Sequence, residues 1–163
     1  MNTDFSAEEM YLSWKEYGGD IFDGFDWDLE GEDNAEGPGN YFSVDVLNRM
    51  GEMSALAKKD GYIVTIAPME SYLDVGTPKF SRYVNLPYED DWHSEFTYHG
   101  ANLYAYILAK WQDAIDLISI QLYESFSHAA YSINHLGKSP SVWLVDYVIA
   151  LKSNDEGFYV NFD

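Results

Sequence analysis

Asp23-Gly24-Phe25-Asp26-Trp27-Asp28-Leu29-Glu30 decides how this chain is read, because acidic and apolar residues alternate along it from Phe25 onward. Successive side chains of a strand point to opposite faces. Asp26, Asp28 and Glu30 therefore share one face, and Phe25, Trp27 and Leu29 share the other. Neighbours in the acidic row stand about 6–7 Å apart along the strand. Three carboxylates on one face repel each other and are costly to bury as three anions, so the pattern predicts a shared proton among them. Clustering of this kind marks a functional site.

Working outward, Ser6-Ala7-Glu8-Glu9 fits a capping box, and Ala7, Met10, Trp14 and Tyr17 follow at helical spacing until Gly18-Gly19. Residues 21–29 read as a strand, and 30–40 as a loop rich in glycine and acid. A second helix is predicted over 42–59, with Val44, Leu47, Met50 and Leu56 as its apolar stripe. Lys58 and Lys59 suit its negative end, and Gly61 its stop. Residues 62–67 are β-branched and end at Pro68, a strand signature. A long loop holding Pro78, Pro87 and Glu89-Asp90-Asp91 leads to a helix over 101–114, with Leu103, Ile107, Leu108 and Trp111 inward. Residues 116–123 form the third strand. Leu117, Ser119, Gln121 and Tyr123 lie on one face of it, and Ile118, Ile120 and Leu122 on the other. A last helix is predicted over 141–152, with Val142, Val145 and Val148 or Ile149 buried. Residues 157–163 form a loop or a short strand.

Helices alternating with strands give an α/β class with parallel connections. Ligands of such folds bind at the carboxyl ends of the strands, where Glu30, Met69 and Tyr123 fall. The chain has 163 residues, 47% of them hydrophobic, which is enough for one domain with a core. Its net charge of −19 disfavours nucleic acid and anionic membranes as partners. The absence of cysteine excludes disulfides, thiolate metal sites and cysteine nucleophiles. No apolar run reaches the length of a membrane span, and the first nine residues carry no cationic or apolar signal region.

The acidic row admits three interpretations. Asp26-x-Asp28-x-Glu30-Gly31 imitates the start of a calcium-binding EF-hand loop, but its twelfth position is Gly37, where a bidentate Glu is required. A solvated structural edge is the second, and the apolar residues between the acids argue against it. The third is glycoside hydrolysis, in which a carboxylic acid protonates the leaving oxygen and a second group stabilises the oxocarbenium-like state. Glu30, at the strand tip, is the best-placed proton donor, and Asp28 beside it can hold charge or raise the acid's pKa.

The octet resembles the Asp-x-x-Asp-x-Asp-x-Glu signature of glycoside hydrolase family 18, the chitinase family. The order of elements is also similar: a helix like 6–17 before that strand, then Val64-Thr65-Ile66-Ala67-Pro68-Met69, then Ile118-Ser119-Ile120-Gln121-Leu122-Tyr123. The resemblance implies a (β/α)₈ TIM barrel, of which residues 1–163 cover about the fourth to sixth β/α units as one incomplete catalytic domain. It implies Glu30 as general acid and then base. Asp28 orients the substrate's acetamido group and shares a proton with Asp26. Tyr123 donates a hydrogen bond to the acetamido carbonyl, which itself attacks the anomeric carbon, so no protein nucleophile is needed. Asp23 is structural in this scheme, and Met69 and Gln121 line the sugar subsite. The implied ligand is chitin or another N-acetylglucosamine-containing glycan, with no cofactor and no metal, in an extracellular setting.

Two departures from the family accompany the match. Glu124 follows Tyr123 where the family commonly has Asn or Asp. Three strands, or four with the tail, fall short of eight, so the chain is expected to be a fragment or a truncated gene, poorly folded alone and inactive. Two alternatives stand beside this reading: a glycan-binding protein of the same fold, silent through truncation or Glu124, whose lectin-like relatives often lack the acid that Glu30 supplies here, and an endo-β-N-acetylglucosaminidase, which shares the acidic row. His93, His99, His128 and His135 lack zinc spacing. Trp111 and Trp143 read as packing residues, and Trp92, in the loop after Met69, as the candidate for sugar stacking.

Overall fold

Ser6 starts the first helix in the way its sequence predicts. The Glu9 amide donates to Ser6 Oγ at 3.2 Å, and the Ser6 amide donates to Glu9 Oε2 at 2.8 Å. The computed structural model describes residues 5–30, 44–73, 103–123 and 128–152. Within them run α1 (Ala7–Gly18), β1 (Gly24–Trp27), α2 (Val44–Lys59), β2 (Ile63–Ile66), α3 (Leu103–Trp111), β3 (Leu117–Ile118), α4 (His128–Asn134) and α5 (Pro140–Lys152). Short 3₁₀ turns follow β2 and α3, at Glu70–Tyr72 and Gln112–Ala114.

The three strands form one parallel sheet in the order β1-β2-β3. Gly24 pairs with Ile63 and Trp27 with Ile66, while Thr65 and Ile66 pair with Leu117 and Ile118. Regular pairing of β3 is shorter than the 116–123 run predicted for it. The same register nevertheless continues: the Gln121 amide donates to Pro68 O at 2.9 Å, and Met69 and Gln121 form a parallel bridge. Gly24 is required where it stands. A Cβ there would lie 1.7 Å from Ile63 O, inside the neighbouring backbone. Gly61 ends the turn after α2 with φ of 89°, a conformation that costs glycine nothing.

The helices cover one face of this sheet. Leu47, Met50, Ile66, Tyr72, Tyr104, Ile107, Leu108, Trp143 and Tyr147 belong to the larger core cluster, against which Trp27, Leu29, Ile118 and Ile120 pack. A smaller cluster joins Ala7 and Tyr11 of α1 to Met53, Ala57 and Val64, and touches both Phe25 and Trp27. Trp27 thus lies between the two. Its indole N–H donates to the buried Ser54 Oγ at 2.9 Å, and Ser54 in turn donates to Met50 O at 2.7 Å. A buried indole requires such a partner, and here it fastens β1 to α2.

The face predicted for α1 holds except at Tyr17, and the stripe predicted for α5 is wrong. In α1, Ala7 is buried and Met10 and Trp14 pack on the smaller cluster, but Tyr17 is 76% exposed and Tyr11 is buried. Tyr11 is drawn in because its hydroxyl donates at 2.6 Å to Asp60, just past α2, where Lys15 also pairs at 2.5 Å. In α5 the expected stripe of Val142, Val145, Val148 and Ile149 is exposed, and Trp143, Tyr147 and Leu151 are buried instead. That helix is apolar nearly all round, so periodicity cannot select its inner face. Stacking of Trp143 on Tyr147 at 4.9 Å, and the bond from the Tyr147 hydroxyl to Leu73 O at 2.7 Å, select it. The short helix α4 has no counterpart in the sequence reading.

Gly24→Ala is expected to lower stability by about 2 kcal/mol or more, since the added methyl meets backbone that cannot yield without breaking strand pairing. Urea denaturation of the two proteins measures this; matching midpoints would mean that β1 and β2 do not approach as described.

Candidate active site

The alternation of the octet becomes a division between wet and dry faces. Asp26, Asp28 and Glu30 are exposed, while Phe25, Trp27 and Leu29 are half-buried against the helices. On β3 and the segment that follows it, Ser119 and Tyr123 are likewise exposed, while Ile118 and Ile120 pack inward. The face of the sheet that the described helices leave open therefore carries polar residues of β1 and of the segments that follow β1 and β3, and register brings those segments together.

Gln121 is where they meet. Its side-chain amide donates to Asp28 Oδ1 at 2.8 Å, to Ala67 O at 2.8 Å, and more weakly to Glu30 Oε1 at 3.3 Å. Its carbonyl accepts the Tyr123 hydroxyl. One neutral side chain thus links two carboxylates just past β1 to the phenol that follows β3. Thr65, on the middle strand, donates its hydroxyl to Asp26. Each acid has its own neighbour: the hydrogen bonds of Asp26 and Asp28 run to Thr65 and Gln121, not between the two carboxyls.

Magnitudes explain why the row is tolerated. Two anions about 6.5 Å apart repel by about 0.6 kcal/mol in water and about 2.5 kcal/mol at an effective dielectric of about 20. A hydrogen bond to a charged group contributes about 1.5–3 kcal/mol before solvent screening. On an exposed face the repulsion is near its lower value, so the donors of Thr65 and Gln121 outweigh it. Burial of the same row would reverse that balance.

Other sequence-predicted site residues fall elsewhere. Met69 is only 7% exposed and sits in the larger core cluster, so it offers a sugar little surface; it is the Met69 backbone that meets Gln121. Asp23 is exposed, and its carbonyl accepts the Ile63 amide at 2.8 Å at the start of strand pairing, a structural role. Trp92 and Glu124 lie outside the described residues, as does Gly37 of the calcium interpretation. Among the described residues, no group of three or more His, Asp or Glu side chains converges closely enough to hold a metal ion. No helix among them is long and apolar enough to cross a membrane.

Sequence reasoning missed two residues next to the site. Glu70, one residue beyond Met69, is 1% exposed; its carboxylate accepts the Ala129 amide of α4 at 3.3 Å, and its own amide donates to Gln121 O at 3.1 Å. Its place directly after the end of the second strand was the available signal. Tyr104 of α3 is fully buried beneath the carboxyl end of β1, and its hydroxyl accepts the Leu29 amide at 2.5 Å. Its spacing from Ile107 and Leu108 was the signal there, since all three lie on one helix face. Burial pushes the Tyr104 phenol well above the ordinary tyrosine range, the Leu29 amide opposes this, and the charges of Asp28, Asp26 and Glu30 add to the rise.

Comparison of the chain with protein-family models, with curated proteins and with solved structures found no match in any of the three.

The raised Tyr104 pKa has a definite sign. An unfolded tyrosine ionises near pH ~10 while folded Tyr104 keeps its proton. The associated stability is therefore fully present below that pH and is lost as pH rises above it. Urea midpoints measured at pH 9 and pH 11 are expected to fall more steeply for the wild type than for Tyr104→Phe. Equal falls would show that this phenol is not held protonated by the fold.

Proposed function

We propose that the chain is a chitinase-like glycoside hydrolase that cleaves β-1,4-linked N-acetylglucosamine polymers with retention of configuration, and that its three parallel strands are consecutive units of a (β/α)₈ barrel. The observation that carries this reading is the convergence of Asp28, Glu30 and Tyr123, from the two outer strands, on the single side chain of Gln121. The spacing of the octet supports it as well, since both acids stand on the open side of the sheet at its carboxyl end.

In this mechanism Glu30, in its protonated form, donates to the glycosidic oxygen as the bond breaks. The acetamido carbonyl oxygen of the substrate attacks the anomeric carbon and gives a cyclic oxazolinium. Asp28 accepts from the acetamido N–H and stabilises the positive charge that develops. Tyr123 donates to the acetamido oxygen; its hydroxyl now rests on Gln121, so sugar binding exchanges one acceptor for another. Glu30, now ionised, then takes a proton from the water that opens the oxazolinium. Asp26, bound to Thr65, supplies negative charge behind Asp28.

Turnover of a fluorogenic chitobioside by the full-length gene product tests the assignment. Glu30→Gln is expected to lower kcat by about 10²–10⁴ while leaving affinity for the sugar within a few-fold. Undiminished turnover in that variant removes Glu30 from the chemistry. Sugar binding without any turnover by the wild type would point instead to a glycan-binding protein. Product masses separate cleavage within N-acetylglucosamine polymers from release of N-glycans.

A further inference from the structure

We propose that Tyr104 is a positioning residue that clamps the tip of β1 from its buried side and so fixes where Asp28 and Glu30 stand; its catalytic consequence rests on the hydrolase reading above. Regular pairing of β1 ends at Trp27, whose carbonyl accepts the Ala67 amide at 2.8 Å. Residues 28–30 continue beyond the strand and carry the two acids nearest to Gln121. Leu29 packs toward the larger core cluster, where its amide would be an orphan donor without a partner. The Tyr104 hydroxyl fills that place at 2.5 Å, and also lies 3.2 Å from Trp27 O and 3.3 Å from Leu29 O.

One buried oxygen therefore meets backbone groups on both sides of Asp28. Its single proton serves one of the two carbonyls at a time, and the Leu29 amide supplies the other bond. The ring is itself held, since Tyr104 is fully buried on the α3 face that carries Ile107 and Leu108, with the Tyr72 ring 6.4 Å away. Asp28 and Glu30 flank Leu29, so the backbone that carries both is pinned from below by Tyr104 while their carboxylates are held from above by Gln121. A proton donor must be held to within about 0.5 Å of its productive position, and exposed side chains beyond a strand's last pair do not achieve that alone. A tyrosine that only filled the core would have no need of its oxygen.

Tyr104→Phe keeps the ring and removes that oxygen, which makes it the test in the full-length gene product. The Leu29 amide is expected to exchange with deuterium at least tenfold faster, after correction for any change in global stability, while the Ile63 amide of the paired strand keeps its protection. With a fluorogenic chitobioside, kcat is expected to fall about tenfold or more with KM within twofold, the signature of lost alignment rather than lost binding. An unchanged Leu29 amide overturns the clamp whatever the turnover. Faster exchange with unchanged kcat overturns the positioning role. A wild type without turnover on any N-acetylglucosamine substrate overturns the hydrolase reading, and exchange at Leu29 then decides the clamp alone. If the variant does not fold, 3-fluorotyrosine at position 104, which keeps the oxygen but weakens it as an acceptor, is read in the same way: a faster Leu29 amide supports the clamp and an unchanged one overturns it.

Discussion

The two faces of β1 cannot be exchanged. Rotating that strand by one residue would bury Asp26, Asp28 and Glu30 among Leu47, Met50 and Ile107, and would put Phe25, Trp27 and Leu29 in water. Three desolvated anions cost far more than any packing could return. This constraint sets the register of β1 against β2, which in turn sets where the carboxyl end of β1 meets that of β3. The indole-to-Ser54 bond then locks the choice, because it forms only when Trp27 faces α2.

The electrostatics of the exposed face rest on neutral donors. A lysine or arginine placed among the three acids would neutralise the row and hold each acid ionised. Gln121, Thr65 and Tyr123 are uncharged, so the row keeps its negative potential while each carboxylate retains a partner. Among the described residues, the ion pairs beside the sheet lie at the other end of the strands: Lys58 pairs with Asp116, whose other oxygen accepts the Val64 amide at 3.0 Å, and Lys15 pairs with Asp60. The described residues at the carboxyl ends of the strands are anionic, an environment suited to a neutral or cationic ligand.

Support for the site comes from the side that no ligand touches. Tyr104 beneath Leu29, and Glu70 between Gln121 and α4, each use a buried polar atom to satisfy a backbone amide. Such atoms are costly unless paired, and their pairing fixes strand ends that would otherwise fray. The acids above are exposed and individually weakly held. Rigidity is thus supplied from the dry side of the same short segment that presents its acids on the wet side.

Periodicity was enough to read the class of the fold, the facing of the octet and the facing of β3, because alternation on a strand is local geometry that no later packing can change. The capping box at Ser6 and the stop at Gly61 were legible for the same reason. Facing failed in α5, where valines and isoleucine ring an almost wholly apolar helix, and at one residue of α1, where Tyr17 is exposed and Tyr11 buried; both outcomes depend on hydroxyl partners distant in the chain, Leu73 and Asp60. Gln121 entered through the resemblance as a subsite residue, not as the junction of Asp28, Glu30 and Tyr123, and periodicity did not show that Met69, at the carboxyl end of the second strand, is buried in the core. The chain by itself determined which side chains share a face. Only the tertiary structure decided which faces meet and which hydroxyls reach beneath them, because those depend on strand register and helix packing between residues far apart in sequence.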